Sequence, residues 1–472
     1  MRTSLKVFSA AIIVTLALST CVLAGDGGID SALLEQYEKQ FNAEGNQQRT
    51  INAITNNSIK ELALNRDLLT SHDKLVAFQL KDAGVVDQKG SGRCWMFAGV
   101  NVLSPVIMKK LDLSSFELSE PYITFYDKLE KSNFFLERVI EMRDRPIDDR
   151  SLQMEIDNMI GDGGWWHYFT DLVEKYGIVP LSAMPETKQS ISTGTFNSLA
   201  QSLLRADASQ LRQMHKDGKS VNELRQAKEK MLADIYKLLV YNYGRPPKEF
   251  TFRWEAKKDS VKTISEKNYT PKSFLAEYFP DGLPNYVALV NNPTLDYDQP
   301  YLLEASRNIY ENSDFKVLNL PVERLKEYTH KALLDSQAVW FACDVGKQNY
   351  GDSAIMAEGI LDYGTAVGMD FALSKADKIS FKEISPNHAM VICGFDTTST
   401  GTINKWLIEN SWGKKAGDDG FWYMYDDWFS EYVLVIVINE NMLSPEDAEK
   451  FKKEPVKVAD WEPFFRAMRN LE

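Results

Sequence analysis

The chain has 472 residues, of which 44% are hydrophobic and 26% are charged, and its formal net charge is −13. This composition is that of a globular protein and excludes a disordered or fibrous one. Its acidic balance and the lack of a long basic run exclude nucleic acid as an expected partner, because phosphate binding relies on clustered lysine and arginine. The length is enough for about three domain-sized units.

The first 24 residues have the pattern of a secretory signal peptide. Arg2 and Lys6 precede an apolar run, and the small residues at 22–24 suit cleavage before Gly25. Two alternatives remain open, a buried N-terminal helix and a lipoprotein cleavage site with Cys21 as the acylated residue. We therefore expect an exported protein, periplasmic or secreted.

After residue 24, changes in composition and hydrophobic pattern divide the chain into five segments. These are an N-terminal arm (25–75), a helical lobe with a candidate nucleophile (76–190), a helical insertion (191–320), a β-rich lobe (321–455) and a C-terminal tail (456–472). In the second segment, apolar helical spacing begins at Cys94, and Pro105 is expected to kink or end that helix. Leu224, Met231 and Ile235 recur at helical spacing in the insertion. Short apolar runs in the fourth segment predict antiparallel strands.

Cysteine usage singles out one residue. Cleavage before Gly25 leaves three cysteines, an odd number, so at least one thiol should be free. Cys343 and Cys393 lie in apolar strand-like runs and are expected to be buried, inert thiols. Cys94 stands where a glycine-containing loop meets a helix, and a helix N-terminus favours a thiolate. This predicts a nucleophile that is charged at rest.

A thiolate that transfers an acyl group also needs a proton donor, usually imidazole near neutral pH. Of the five histidines, His72, His215 and His330 lie in polar surroundings that indicate surface positions, and His167 is expected to be structural. His388 begins an apolar strand. Taken alone, it fits a structural histidine better than a catalytic one.

Two further residues would complete a catalytic site. Asn410 ends an apolar strand and could accept a hydrogen bond from the imidazole, while Trp412 covers that bond from water. A plain turn is the alternative for this segment. Gln88 could direct its side-chain amide N–H at an oxyanion, beside the backbone N–H of Cys94. No metal or cofactor site is predicted.

These motifs resemble the papain superfamily and, more closely, the bleomycin hydrolase and aminopeptidase C family. The matching runs extend from about residue 70 to the C-terminus: Gln88, Ser91-Gly-Arg-Cys-Trp-Met-Phe97, Leu118–Glu130, Asp162-Gly-Gly-Trp165, Val173–Pro180, Ala338–Gly346, Asn387-His-Ala389, Glu409-Asn-Ser-Trp-Gly413, Gly420-Phe-Trp422 and Trp428–Val433. Their common order makes the resemblance specific, and it favours the catalytic interpretation of His388.

The resemblance implies an α+β, papain-like fold of two lobes with a helical insertion, residues 191–320, through which the subunits of the family assemble. It also implies a cysteine aminopeptidase that removes N-terminal residues from peptides and assembles as a homohexamer. The backbone of Asp162, Gly163 and Gly164 would pair with the bound peptide. The chain terminus at Glu472 would lie in the cleft and restrict it to amino ends.

Two departures from the family leave alternatives open. Its members are usually cytoplasmic, whereas this chain opens with an export signal. The tail Phe464–Glu472 is about four residues longer than the family's and bulkier. An open cleft would make the protein an endopeptidase or oligopeptidase, and loss of catalysis would leave a peptide-binding scaffold.

Overall fold

The computed structural model describes residues 27–43, 47–81, 84–258 and 261–464. The predicted signal peptide with Cys21, and the terminal Glu472, lie outside the described residues. The chain divides into two compact units, residues 1–62 and 63–472. The predicted arm, residues 25–75, is therefore divided between the two units. Its residues 63–75 belong to the second unit, where Leu64 forms a β-bridge with Leu361.

Helices make up the described part of the first unit and most of the first half of the second. In the first unit they are α1 (Ser31–Ala43), α2 (Gln47–Asn56) and α3 (Ile59–Leu62). The second unit contains α4 (Arg66–Ser71), α5 (Cys94–Leu111), α6 (Glu120–Glu141), α7 (Arg150–Asp157), α8 (Trp166–Tyr176), α9 (Gly194–Lys216), α10 (Val221–Tyr243), α11 (Pro271–Tyr278), α12 (Val322–Leu334), α13 (Tyr363–Val367), α14 (Lys375–Ser380), α15 (Asp426–Tyr432) and α16 (Pro445–Lys452).

The strands lie in the second unit and form one large mixed sheet and one hairpin. They are β1 (Phe78–Gln79), β2 (Phe250–Lys258), β3 (Val261–Tyr269), β4 (Tyr286–Val290), β5 (Gln299–Leu303), β6 (Phe315–Asn319), β7 (Val339–Cys343), β8 (Asn349–Tyr350), β9 (Ile355–Met356), β10 (His388–Thr397), β11 (Ile403–Glu409), β12 (Phe421–Tyr425), β13 (Val433–Asn439) and β14 (Val456–Val458). The sheet order is β14-β5-β6-β4-β13-β7-β10-β11-β12-β9-β8, and β1 also pairs with β10. The hairpin is β2-β3.

The fold is the predicted α+β, papain-like one, with the nucleophile's helix packed on the sheet. Helix α5 carries Cys94 at its first residue, and it contacts β7 and β10 near the middle of the sheet order. Its buried residues include Trp95, Val100, Leu103 and Ile107. This packing brings the helix N-terminus to the end of β10 at which His388 lies.

The alternative that Pro105 ends this helix was wrong. Helix α5 continues through Pro105 to Leu111, where Asp112 caps it in a left-handed conformation. Proline removes one backbone hydrogen bond. Burial of Leu103 and Ile107 on the core face compensates for that loss and keeps the following turn helical.

The prediction that residues 191–320 form a helical insertion holds only for its first part. Helices α9 and α10 form this first part, and α10 ends at Tyr243. The β2-β3 hairpin, the short helix α11 and three strands of the main sheet follow. The helical periodicity on which the prediction rested does not extend beyond α10. The runs Tyr286–Val290 and Phe315–Asn319 are almost entirely buried, which is the pattern of interior strands.

Within the described residues, the three cysteines form no disulfide and are buried, as predicted for Cys343 and Cys393. Within the same residues, no helix has both the length and the apolar character needed to cross a membrane.

Gly394 offers a test of how β10 is held. An added Cβ there would lie 2.5 Å from the backbone oxygen of Phe78 in β1. We expect Gly394→Ala to lower the free energy of unfolding by about 1–3 kcal/mol, because backbone must move to relieve the overlap. Urea denaturation measures this change. Gly194→Ala is the matched control, since nothing lies within 4 Å of its added Cβ, and an equal loss in both variants would contradict the prediction.

Candidate active site

Cys94 occupies the first position of α5, and its side chain is 0% exposed. Arg93 is the N-cap residue, and its carbonyl accepts the first backbone hydrogen bonds of the helix. The backbone N–H groups of Cys94, Trp95 and Ala389 are directed at the sulfur. Because Ala389 directly follows His388, the thiol lies beside the start of β10.

The position of His388 is fixed by the strand end and by the residues before it. Its Cα pairs with that of Cys343 in β7. The side chain of Asn387 accepts from the backbone N–H of Val345 (3.1 Å) and donates to Asp344 Oδ1 (2.7 Å). These bonds attach the residue before His388 to the segment that directly follows β7.

Asn410 orients the imidazole as the sequence predicts. His388 Nε2 lies 2.8 Å from Asn410 Oδ1. The same oxygen accepts from the backbone N–H of Ser411 at 2.7 Å, so Nε2 must be the donor. In the neutral ring, Nδ1 is then the nitrogen that can accept a proton. The Trp412 ring lies 4.8 Å from the imidazole at an interplanar angle of 30° and covers this pair.

The side-chain amide of Gln88 is held at both ends. Its Oε1 accepts from Ser411 Oγ at 2.6 Å, and its Nε2 donates to the carbonyl of Ser91 at 2.6 Å. One amide N–H therefore remains for a further acceptor. Ser91 Oγ in turn donates to the carbonyl of Gln88 and accepts from Arg93 Nε, so the loop before the nucleophile is braced internally.

A second contact joins the Gln88 loop to the turn after Asn410. Gln88 N donates to the carbonyl of Ser411 (2.8 Å), and Gly413 N donates to that of Val86 (3.0 Å). Gly413 has φ +74°, and an added Cβ would lie 2.6 Å from Asp87 Oδ2. Glycine is therefore required where these two segments approach.

Burial opposes a charge on either catalytic group. It raises the pKa of the Cys94 thiol to about 11, although the backbone N–H groups of Ala389, Trp95 and Cys94 act in the other direction. It lowers the pKa of His388 to about 4, against the effect of the Asn410 hydrogen bond. Near neutral pH these directions favour a thiol beside a neutral imidazole.

The expectation of a thiolate at rest was based on the helix N-terminus together with an imidazolium at His388, and it stays a prediction. At the sulfur alone, loss of solvent opposes the charge that the helix N-terminus favours. A negative sulfur becomes favourable only together with a protonated His388, since the two opposite charges then compensate each other in a region of low dielectric.

The segment predicted to pair with substrate packs tightly behind the nucleophile. The carbonyl of Asp162 accepts from Trp95 Nε1 (2.7 Å), and that of Gly163 accepts from Lys131 Nζ (2.6 Å). At Gly164, an added Cβ would lie 2.5 Å from the Trp95 ring. Pairing of this backbone with a peptide stays a prediction, and Gly164 has a packing role besides.

The carboxylate of Asp162 faces inward and organises the site. It accepts from Lys128 Nζ (2.6 Å), Gly92 N (2.9 Å), Thr193 Oγ1 and Asn197 Nδ2. Burial alone would raise its pKa, but Lys128 and these hydrogen bonds hold the pKa well below its usual value. Asp162 thus fixes the loop that leads to Cys94.

Sequence reasoning missed Lys128, Ser411 and the bond from Asn101 Nδ2 to Glu409 Oε1 (2.9 Å), which ties α5 to β11. Lys128 had a detectable signal. It lies between Phe125 and Ser132 on the buried face of α6, and a charged residue at such a position implies a buried partner.

The other histidines are engaged elsewhere. His167 is half-buried, stacks on Phe315 with ring centroids 4.2 Å apart, and bonds the carbonyl of Ser306, as expected for a structural residue. His215 bonds Asp144, His72 bonds the hydroxyl of Tyr425, and His330 packs edge-on against Phe395. His72, His215 and His330 are thus half-buried and not simple surface residues.

Comparison with known proteins gives concordant matches over most of the chain. A Peptidase C1-like family model matches residues 28–465. An aminopeptidase C of Listeria monocytogenes is 37% identical over 413 residues, covering 87% of this chain and 92% of the relative. An aminopeptidase G of Lactobacillus delbrueckii subsp. lactis is 36% identical, covering 91% and 97%. The crystal structure of PepW from Lactobacillus rhamnosis is 34% identical, with a TM-score of 0.88 and coverage of 93% and 99%.

Alkylation of Cys94 tests its coupling to His388. In His388→Ala the buried thiol must ionise alone, so we expect iodoacetamide to modify it at pH 6 at least roughly 100-fold more slowly than in the parent protein. Mass spectrometry of the peptide that contains Cys94 gives the rate. His330→Ala is the matched control and should react like the parent. Equal rates in the parent and His388→Ala would show that the imidazole does not activate this sulfur.

Proposed function

The chain belongs to the Peptidase C1-like family, and from this premise we propose that it is a cysteine-type aminopeptidase in which Cys94, His388, Asn410 and Gln88 perform the chemistry. The observation that carries the assignment is the thiol at the start of α5, beside the first residues of the strand that carries His388, whose Nε2 is held by Asn410. Each of these residue types has the role that thiol acyl transfer requires. A scaffold without activity would not require all four.

In the proposed mechanism, His388 Nδ1 takes the thiol proton and pairs with the Cys94 thiolate, which attacks the scissile carbonyl. Because burial disfavours either charge alone, the two opposite charges form together as an ion pair. The imidazolium then protonates the leaving amine, and the acyl group stays on sulfur. Water, deprotonated by the same ring, releases the acid and restores the thiol.

The oxyanion would be stabilised by two donors, the backbone N–H of Cys94 and the second amide N–H of Gln88. Support comes from the two bonds that fix the amide of Gln88, which make reorientation unnecessary during the reaction. Asn410 and Trp412 would keep the imidazole oriented. Gly163 and Gly164 would present backbone groups to the peptide.

Replacement of Gln88 tests the oxyanion assignment. We expect Gln88→Ala to reduce kcat by about 10²- to 10³-fold with a smaller change in KM, because the donor acts on charge that develops in the transition state. Steady-state kinetics on an aminoacyl-coumarin substrate measure both constants. Gln337→Ala, at a half-buried position between α12 and β7, is the control. A loss confined to KM would assign Gln88 to ground-state binding.

Restriction to amino ends is the finer part of the proposal, and it depends on the C-terminal tail. The described tail reaches Phe464, which is buried, and Trp461 packs on the guanidinium of Arg150 at 4.9 Å. Eight further residues follow in the sequence. We propose that the carboxylate end at Glu472 pairs with the substrate's amino group. If it lies elsewhere, the longer tail favours an endopeptidase.

A pair of matched substrates tests this restriction. We expect an aminoacyl-coumarin with a free amino group to be hydrolysed at least roughly 100-fold faster than its acetylated counterpart, as judged by kcat/KM. A variant that ends at Phe464 should lose this preference. Equal turnover of both substrates by the full chain would overturn the aminopeptidase assignment, and an unchanged ratio in the shortened chain would overturn the role of the tail.

Assembly and location are further proposals. By family resemblance we propose a homohexamer, and from residues 1–24 an exported protein, with cleavage before Gly25 or lipidation at Cys21. Intact-mass analysis of the secreted or membrane fraction distinguishes the two N-termini. Light scattering on the mature protein gives the number of subunits.

A further inference from the structure

A groove away from the catalytic residues has an apolar floor and a basic rim. It lies between the end of α6, helix α7 and the C-terminal half of α9, and has a volume of about 870 Å³. That volume lies in the range of ligand-binding pockets. The floor is formed by Phe135, Val139, Pro146, Ile147, Leu152, Ile156 and Ala208.

One face of α9 supplies a regular part of the rim. Arg205, Ala208, Ser209, Arg212, Gln213 and Lys216 line the groove at spacings of three and four residues, so they form a continuous stripe along the helix. Arg143 and Arg145 add two more cations from the segment after α6. The lining contains one carboxylate, that of Asp144. A groove with five cations and one anion is unusual in a chain whose net charge is −13.

Internal contacts use only some of these cations. Arg212 donates to the carbonyls of Met142 and Arg145, and so holds the end of α6. Arg145 pairs with Asp149, and Arg143 lies 3.7 Å from Asp144. Arg205 and Lys216 are exposed, and their side chains form no hydrogen bond or ion pair with any part of the chain that the structure describes.

The side chain of Arg205 has no polar partner among the described residues, and Lys216 lies in the last turn of α9, where a cation interacts favourably with the helix dipole. Arg212 and Lys216 are four residues apart, and like charges at this spacing repel each other. The apolar floor beside them is partly open to solvent, since Ile147 is 58% exposed. An external anion would remove the repulsion and cover the apolar surface at once.

We propose that this groove binds an acidic peptide segment that carries apolar side chains, at a site separate from the catalytic one. The basic rim requires a partner with negative charge. The apolar floor favours aliphatic or aromatic side chains between the carboxylates of that peptide. Ser209 and Gln213 offer hydrogen bonds to a peptide backbone. The apolar floor disfavours nucleic acid, whose backbone carries a charge at every phosphate.

A blocked peptide tests the proposal without interference from hydrolysis. The probe is an octapeptide of alternating aspartate and leucine or phenylalanine, acetylated at its amino end and labelled with fluorescein at its carboxyl end. Anisotropy titration should show saturable binding to the full chain that weakens as salt increases. The same peptide with serine in place of the apolar residues, or lysine in place of aspartate, should bind at least 10-fold more weakly.

Charge reversal assigns the binding to the groove. The double variant Arg205→Glu/Lys216→Glu should bind the probe at least 10-fold more weakly. The control double variant Lys230→Glu/Lys237→Glu, on exposed positions of α10, should bind like the parent. Ile147→Ser should reduce binding without a change in charge. Parent-like melting temperatures and aminopeptidase activity in all three variants keep the comparison valid for the folded protein.

Several results would overturn the inference. They are no binding of the probe, equal binding by both double variants, or equal binding of the serine peptide. Stronger competition by dodecanoate or by an oligonucleotide would assign the groove to a small amphiphile or to nucleic acid. A change in subunit number in Arg205→Glu/Lys216→Glu alone would assign it to a contact between copies. Deletion of residues 465–472 that increases probe affinity would assign it to the chain's own tail.

Discussion

The site depends on the contact between the first turn of α5 and the starts of β10 and β7. The indole N–H of Trp340 donates to the carbonyl of Trp95 (3.0 Å), and the N–H of Ala389 is directed at the Cys94 sulfur. Trp95 is itself held by Asp162 from behind. This contact removes the sulfur and the imidazole from water, and their chemistry follows from that removal.

Desolvation explains why so many polar groups surround four catalytic side chains. A buried polar group without a partner is costly, and here each partner also orients its neighbour. Ser411 fixes the amide of Gln88, Asp344 fixes Asn387, and Lys128 balances Asp162. Because these bonds join segments that are distant in the sequence, loss of one bond would also displace the residues at its other end.

The sequence was sufficient to predict the residues of the candidate site but not those that support them. Cys94, His388 and Asn410 stand in recognisable local patterns, and the structure brings the Asn410 side chain to the imidazole as expected. The effect of burial on the pKa values of Cys94 and His388 was not predictable, because distant segments bury them. The strands after Tyr243 were missed because the helical periodicity of α10 was extended beyond its end, and Lys128 was missed because its partner is 34 residues away.

The hydrogen bond between Gln88 and Ser411 spans 323 positions of the chain. A ribosome must therefore synthesise almost the whole polypeptide before the nucleophile's loop meets its partner turn. Contacts of such long range form late in folding. A chain that is still being synthesised consequently carries the thiol of Cys94 before the segments with His388 and Asn410 exist.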